Sequence, residues 1–356
     1  MTTAEWLGQP REAGATLPPP GFGADGGPFA LTAAVTLGGG WDQRALGAAG
    51  WGAPAPAQVP AGMAPVAVGA DGTVLAMGPS AEAGGVAVRA AVRRGGAWAP
   101  VAAVVSGGPN PAYTGAVGAD GTVVVAATDG VTLQLAAQDG ATVRGISVPG
   151  SSLPRIAVDE AGDALAVWKV TSGARETAVY TAMPAGRPWR PVRRAPVPRS
   201  VPGGALSVDA DLSAGGVGIM AWTAGAAGRH RVWWSMSPGI DKPFTPAAPV
   251  DPAASPGAVV EGLRVSGAGD ATVVWSTPRA TQSASRLAGA PWWTRDGTVS
   301  GAPGSGRAAR APVEVVADRF GTVGVAWALH DGVALSRKGQ GPEPWPAAPQ
   351  VVSTPP

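Results

Sequence analysis

A chain of 356 residues with 45% hydrophobic residues, 14% charged residues and a net charge of +2 is too apolar and too weakly charged to stay disordered. Gly 54 and Pro 37 make up about a quarter of it. Each interior proline costs about 3 kcal/mol of helix, so an all-helical fold is excluded and a turn-rich one expected. Cysteine is absent and the His count is 2, which removes disulfides, thiolate chemistry and the usual zinc site. No metal or other cofactor is expected.

In chain order, the opening MTTAEWLGQPREAG has neither a basic n-region nor an apolar h-region, so it does not read as a signal peptide. No run approaches the roughly 18 apolar residues of a membrane helix, and no membrane span is expected. A repeat then begins. GFGADGGPFALTAAV from Gly21 is a weak first copy, and AVGADGTV appears twice, at Ala67 to Val74 and Ala116 to Val123, followed by LAM and VVAA. Related stretches are IAVDEAGDALAVW from Ile156, LSVDADLSAGGVGIMAW from Leu206, LRVSGAGDATVVW from Leu263 and VEVVADRFGTVGVAW from Val313. The aligned glycines are Gly26, Gly72, Gly121, Gly162, Gly216, Gly269 and Gly321, at intervals of 46, 49, 41, 54, 53 and 52. A Val-rich run, an Asp/Gly turn and a second Val/Ala-rich run form the pattern of a β-hairpin. Hairpins are expected near 21–35, 66–77, 115–127, 156–168, 206–222, 263–275 and 313–327.

A second signal lies between the hairpins. An aromatic preceded by Gly, Ala or Pro recurs at Trp51, Trp98, Trp189, Phe244, Trp292 with Trp293, and Trp345, while the third unit has ATVRG near Val143 instead. Runs such as GVAVRAAVRR from Gly85 and TAVYTAM from Thr177 supply a third strand, and the residues after the aromatic supply a fourth. The expected fold is therefore all-β: one domain over 1–356, a seven-bladed β-propeller of four-stranded antiparallel blades, with six or eight blades as alternatives. The extra aromatic copy at Trp6 is the expected mark of ring closure, in which a strand from one end completes a blade begun at the other.

IAVDEAGDALAVWKVTSGARETAVYTAMPAGRPWRP, from Ile156 to Pro191, resembles the repeat of sialidase-like β-propellers of secreted bacterial, especially actinobacterial, proteins. The resemblance covers nearly the whole chain. It implies a secreted or cell-surface, non-catalytic module, with a cytoplasmic location as the alternative. The Asp-box of true sialidases is missing, no Gly-His pair occurs, and the one Trp-Asp pair, Trp41–Asp42, is not repeated from unit to unit as in WD40 blades. Sialidases cleave with a Tyr nucleophile, and the two tyrosines, Tyr113 and Tyr180, fall in a Pro-rich connection and mid-strand, so sialidase activity is not expected.

Residues at regular repeat positions read as structure. Trp168, Trp222, Trp275 and Trp327 all end the second hairpin strand, which points to packing between blades. Asp71, Asp120, Asp159 and Asp318 sit in turns, where Asp bonds its own backbone. Only the DADLSAGG turn, with Asp209 and Asp211, approaches a calcium loop.

Irregular positions are the functional candidates. The tandem tryptophans Trp233/Trp234 and Trp292/Trp293, with Arg295 and Asp296, combine indole plates with polar groups, the chemistry of sugar recognition; packing on both blade faces is the competing reading. His230, and His330 beside Asp331, are alternative catalytic candidates. RPWRPVRRAPVPR, holding Arg187, Arg190, Arg193, Arg194 and Arg199, is the densest basic segment and is either a solvated connection or a contact for an anionic polymer or a protein. The expected function is a lectin-like or docking module whose partner is a glycan or a protein rather than nucleic acid. The rival expectations are a propeller hydrolase or lyase, and a structural part of a larger assembly.

Overall fold

The structure, a computed structural model, describes residues 21–353 except 23–27, 31–41, 48–49, 52–54, 57, 69–72, 83–84, 95, 107–110, 119, 150–151, 173–174, 197–204, 226–229, 251–256, 300, 303–312, 318–321, 329–331 and 340. The described residues hold no helix. The first sheet has five short strands, β1 (Gly21–Phe22), β2 (Pro28–Ala30), β3 (Asp42–Gly47), β4 (Gly50–Trp51) and β5 (Ala55–Pro56). The second holds β6 (Ala64–Val68), β7 (Val74–Glu82), β8 (Gly85–Arg94) and β9 (Ala97–Ser106). The third holds β10 (Ala112–Val117), β11 (Val123–Thr128), β12 (Thr132–Asp139) and β13 (Thr142–Pro149), and the fourth β14 (Arg155–Val158), β15 (Ala164–Ser172), β16 (Arg175–Met183) and β17 (Arg193–Arg194). The fifth holds β18 (Ala205–Leu212), β19 (Gly218–Ala224), β20 (Arg231–Ser237) and β21 (Ala248–Pro249). The sixth holds β22 (Val259–Val265), β23 (Ala271–Ser276), β24 (Thr281–Arg286) and β25 (Thr294–Thr298), and the seventh β26 (Val313–Ala317), β27 (Val323–Ala328), β28 (Gly332–Lys338) and β29 (Gln350–Ser353).

The last six sheets are four-stranded, antiparallel and in chain order. Their first strands stand side by side, β6 on β10, β10 on β14, β14 on β18, β18 on β22 and β22 on β26, and β1 touches both β26 and β6. The circuit of first strands returns on itself, which is the arrangement of a β-propeller. Among the described residues six complete four-stranded blades are present, and the described strands of the first unit form a sheet of shorter strands between β26 and β6. Among the described residues the seventh sheet takes its four strands from Val313–Ser353, and the expected closing copy at Trp6 lies outside the described residues.

The repeat glycine is explained by the turn it closes. Gly121, Gly162, Gly216 and Gly269 all have positive φ, at 99, 87, 72 and 93°. Their amides donate to the carbonyls of Gly118, Asp159, Ser213 and Ser266, which begin the turns. This is a three-residue hairpin loop whose last residue is left-handed, a place glycine fills without strain. Asp163 and Asp270, just after the glycine, accept the amides of Ala185 and Ala288 at 2.7 and 2.6 Å, tying the first turn of the blade to its third.

Asp159 also shapes its turn. Its Oδ1 accepts the amides of Ala161 and Asp163, both at 2.9 Å, while its Oδ2 is buried with no partner among the described residues. Burial, and then the nearby Asp163 carboxylate, push its pKa up to about 6. Burial does the same to Asp211, also to about 6, against the pull of Arg264. Groups raised in the fold hold protons that the unfolded chain has released, so the contribution of these two carboxyls to stability is largest at about pH 4 and is lost as pH rises to about 6. Urea unfolding across that window is expected to show this fall, with a smaller fall for Asp159→Asn. A stability that rises with pH over the window, or one unchanged by the variant, contradicts it.

The core is radial rather than central. Five buried clusters each join two consecutive sheets, from the second and third around to the sixth and seventh. Each second strand is therefore apolar on both faces, and β11, β19 and β23 are buried at every residue. Trp168, Trp222 and Trp275 are fully buried and Trp327 is 3% exposed, all within these clusters. Close blade approach selects small residues: a Cβ on Gly262 of β22 would lie 2.5 Å from Val315 Cβ of β26. Tyr113 is not in a connection but in β10, paired with Ala127, and both it and Tyr180 are buried in blade clusters.

Candidate functional site

The tandem tryptophans separate into different environments. Trp233 and Trp234 are neighbours on β20, so alternation sends them to opposite faces. Trp233 packs into the cluster with the fourth sheet, its Nε1 donating to Ala224 O at 3.4 Å. Trp234, 8% exposed, packs toward the sixth sheet. There it meets Trp293 edge to face, with ring centroids 5.6 Å apart, and carries the Arg286 guanidinium 5.0 Å from its centroid. These three indoles are built into blade packing.

Trp292 stands apart. It lies in the connection between β24 and β25 and is 67% exposed, and Leu287 in the same connection is 48% exposed. Every other tryptophan with a described side chain is buried or half-buried. Arg295, three residues on in β25, is also exposed. This connection is at the same end of the blade as the β22–β23 turn, as the bond from the Ala288 amide to Asp270 shows.

Asp296 does not join that surface. Its side chain and that of Lys338 are fully buried between the sixth and seventh sheets, with Nζ 3.5 Å from Oδ2. The hydroxyls of Ser283 and Ser285 donate to the same Oδ2 at 2.8 and 2.9 Å. Trp345 Nε1 donates to Ser283 Oγ at 2.7 Å, and Lys338 donates to Ser285 Oγ at 2.9 Å and to Gly341 O. Burial pushes the Asp296 carboxyl up and the Lys338 ammonium down, each opposed by the charge of the other. The network ties two blades together and is closed to solvent. Sequence spacing had no means of pairing residues 42 positions apart.

Asp209 and Asp211 are not in a turn. They lie on β18, where Ser207 Oγ, Asp209 Oδ2 and Asp211 Oδ2 accept the amides of Val260, Leu263 and Val265, each at 2.7 Å. Alternate residues of one inner strand thus satisfy the open edge of the next, and Arg264 pairs with Asp209 at 3.3 Å. The two carboxylates are joined to the next blade rather than arranged as a calcium loop. Among the described residues no group of three His, Asp or Glu side chains is placed to hold a metal ion.

His230 precedes β20 in the connection from β19, at the opposite blade end from Trp292, and its Nδ1 is buried without a partner among the described residues. His330 and Asp331 lie outside the described residues. The arginine segment forms the outer edge of the fourth sheet, where Arg187, Arg190, Arg193 and Arg194 are exposed; Arg199 lies outside the described residues.

The fold and these surfaces define a β-propeller that, among the described residues, leaves one indole exposed on a connection between blade strands. No protein-family model matches the chain, and no curated protein sequence matches it. Among solved structures it is similar to a hydrazine synthase from Kuenenia stuttgartiensis, with a TM-score of 0.57 and 11% identity over 90% of this chain and 96% of that one. It is also similar to an ulvan lyase of polysaccharide lyase family PL25, with a TM-score of 0.52 and 11% identity over 83% of each chain. The Aleuria aurantia lectin aligns with a TM-score of 0.47 and 14% identity over 82% of this chain and 96% of that one. What the first two share with this chain is the propeller fold. No helix among the described residues is long and apolar enough to cross a membrane.

Proposed function

We propose that the protein is a non-catalytic recognition module that binds carbohydrate at the β24–β25 connection, with Trp292 as the stacking plate, Leu287 beside it and Arg295 as a polar contact. The observation that carries this reading is the 67% exposure of Trp292 in a chain whose other described indoles are buried or half-buried. An indole left in water forgoes its burial energy, whereas a sugar ring laid on its face recovers it. The repeat pattern supports a secreted or cell-surface module akin to sialidase-like propellers, a setting in which glycans are the available ligands.

The test is a glycan-array screen of the full chain beside Trp292→Ala. Binding by the parent chain is expected, with at least a roughly tenfold loss in the variant, equivalent to about 1.4 kcal/mol, and an unchanged unfolding midpoint. Silence across the array overturns carbohydrate recognition in favour of a protein partner. Binding that survives in the variant overturns the site.

A further inference from the structure

We propose that the outer edge of the fourth sheet is a second binding surface, one that takes a linear acidic polysaccharide through Arg187, Arg190, Arg193 and Arg194. It is independent of Trp292, which belongs to the sixth sheet.

All four arginines are exposed, and none of their guanidinium groups has a hydrogen-bond or ion-pair partner among the described residues. Four other cations of the fold are paired, Arg144 with Asp139, Lys169 with Glu176, Arg264 with Asp209 and Lys338 with Asp296, while Arg155, Arg231 and Arg337 stand singly, each on a different strand. The nearby Asp163 carboxylate is occupied by the Ala185 amide. Four exposed positive charges between positions 187 and 194 make no contact that stabilises this blade, and the complement we assign to them is an external anion.

The backbone that carries them is fixed. Arg190 and Ala195 donate their amides to Ala182 O and Ala178 O at 2.8 and 2.9 Å, and Thr181 Oγ1 donates to Arg190 O at 2.6 Å. The buried Trp189 points the other way and donates from Nε1 to Arg144 O of the third sheet at 3.2 Å. Trp189 packs on the face toward the third sheet and Ala195 on the face toward the fifth, so the arginines lie along the exposed rim of a held segment, with Arg193 and Arg194 alternating about the edge.

The chemistry selects the occupant. Pro188 and Pro191 have no amide hydrogen, so an added peptide strand cannot extend the sheet here. Single-stranded nucleic acid is gripped by stacking as well as charge, and the one aromatic of this row, Trp189, is buried. What remains is charge recognition at a regular interval. Arg187 closes a turn at the head of the segment, and beyond it Arg190 and Arg193, three residues apart in extended backbone, lie at most about 10 Å from each other. That spacing suits a polymer carrying one anionic group per repeating unit. The guanidinium fork matches the paired oxygens of a carboxylate or sulfate, as an ammonium does not.

The experiment measures binding of the full chain to polygalacturonate and to heparin, with dextran and oligo-dT as comparison ligands, at salt concentrations between about 50 and 200 mM. The expected result is salt-sensitive binding to the acidic polysaccharides and none to dextran. The variant with all four arginines changed to serine is expected to lose at least about tenfold in affinity, and the four-lysine variant an intermediate amount, about threefold, because it keeps charge without the fork. Arg231→Ser, which removes a charge from the fifth sheet, is expected to bind as the parent does. Equal unfolding midpoints show that the exposed substitutions leave the fold intact. The proposal is overturned if the four-serine variant binds like the parent, if neither polysaccharide binds, or if oligo-dT binds as tightly through the same arginines.

Discussion

Lys338→Met is expected to lower the stability of the fold by about 3–5 kcal/mol, measured by urea unfolding at neutral pH. The ammonium and the Asp296 carboxylate are both fully buried, so neither is solvated by water once the other is gone. Asp296 Oδ1 already has no partner among the described residues. Removing Lys338 leaves that carboxylate with the hydroxyls of Ser283 and Ser285 alone. It must then remain charged at high cost or take up a proton. Adding Asp296→Asn to Lys338→Met is expected to recover a large part of the loss, since the amide keeps an acceptor for the two hydroxyls without a net charge. The Ser283 hydroxyl, which receives the Trp345 indole, is undisturbed in both variants. A loss below about 1 kcal/mol in the single variant would place the pair among solvated ion pairs, whose contribution is that small.

The second large effect concerns the buried indoles within the second strands. Trp168→Ala and Trp222→Ala are each expected to cost about 3–5 kcal/mol, because both side chains are fully buried and their blades cannot collapse around the cavity. Phenylalanine at the same positions distinguishes them. Trp168 Nε1 donates to Pro149 O at 3.2 Å, a bond joining the third and fourth sheets, whereas Trp222 Nε1 is buried with no partner among the described residues. Trp168→Phe strands a carbonyl; Trp222→Phe removes an unpaired donor. The first is expected to cost about 1–2 kcal/mol more than the second in urea unfolding followed by far-ultraviolet circular dichroism. Equal costs would show that the Pro149 bond contributes nothing net.

Both effects live at seams between blades, and this governs what could be read from the amino-acid order. A three-residue hairpin turn is a local event: it needs a left-handed glycine at its last position, and Gly121, Gly162, Gly216 and Gly269 announce it four times. The strand that runs on from each turn is local too, and its unbroken apolar character follows from burial on both faces. A tryptophan recurring at one position in four units reads as repeat packing, and Trp168, Trp222 and Trp275 are fully buried as such. Gly216 also aligns with Gly269, which sets Ser213 opposite Ser266 as the start of the turn. That alignment contained the signal that Asp209 and Asp211 belong to the strand before it.

The tandem tryptophans show where that legibility ends. WW reads alike at 233–234 and 292–293, yet Trp234 meets Trp293 across a blade seam while Trp292 is turned to water. The difference depends on which blade face lies opposite, and the partner is nearly 60 residues away. Asp296, grouped by sequence with its neighbours Trp292 and Arg295, is withdrawn from them by Lys338 of the next blade.

The sequence by itself determined the repeat, its hairpins, the four-stranded unit and the all-β propeller, because each follows from contacts within about 50 residues. Only the tertiary structure decided which indole stays exposed, which carboxylates are consumed by neighbouring blades, and that the four arginines stand unpaired on an outer edge. Those outcomes depend on charge and packing across seams, where residues far apart in the chain compete for the same buried space.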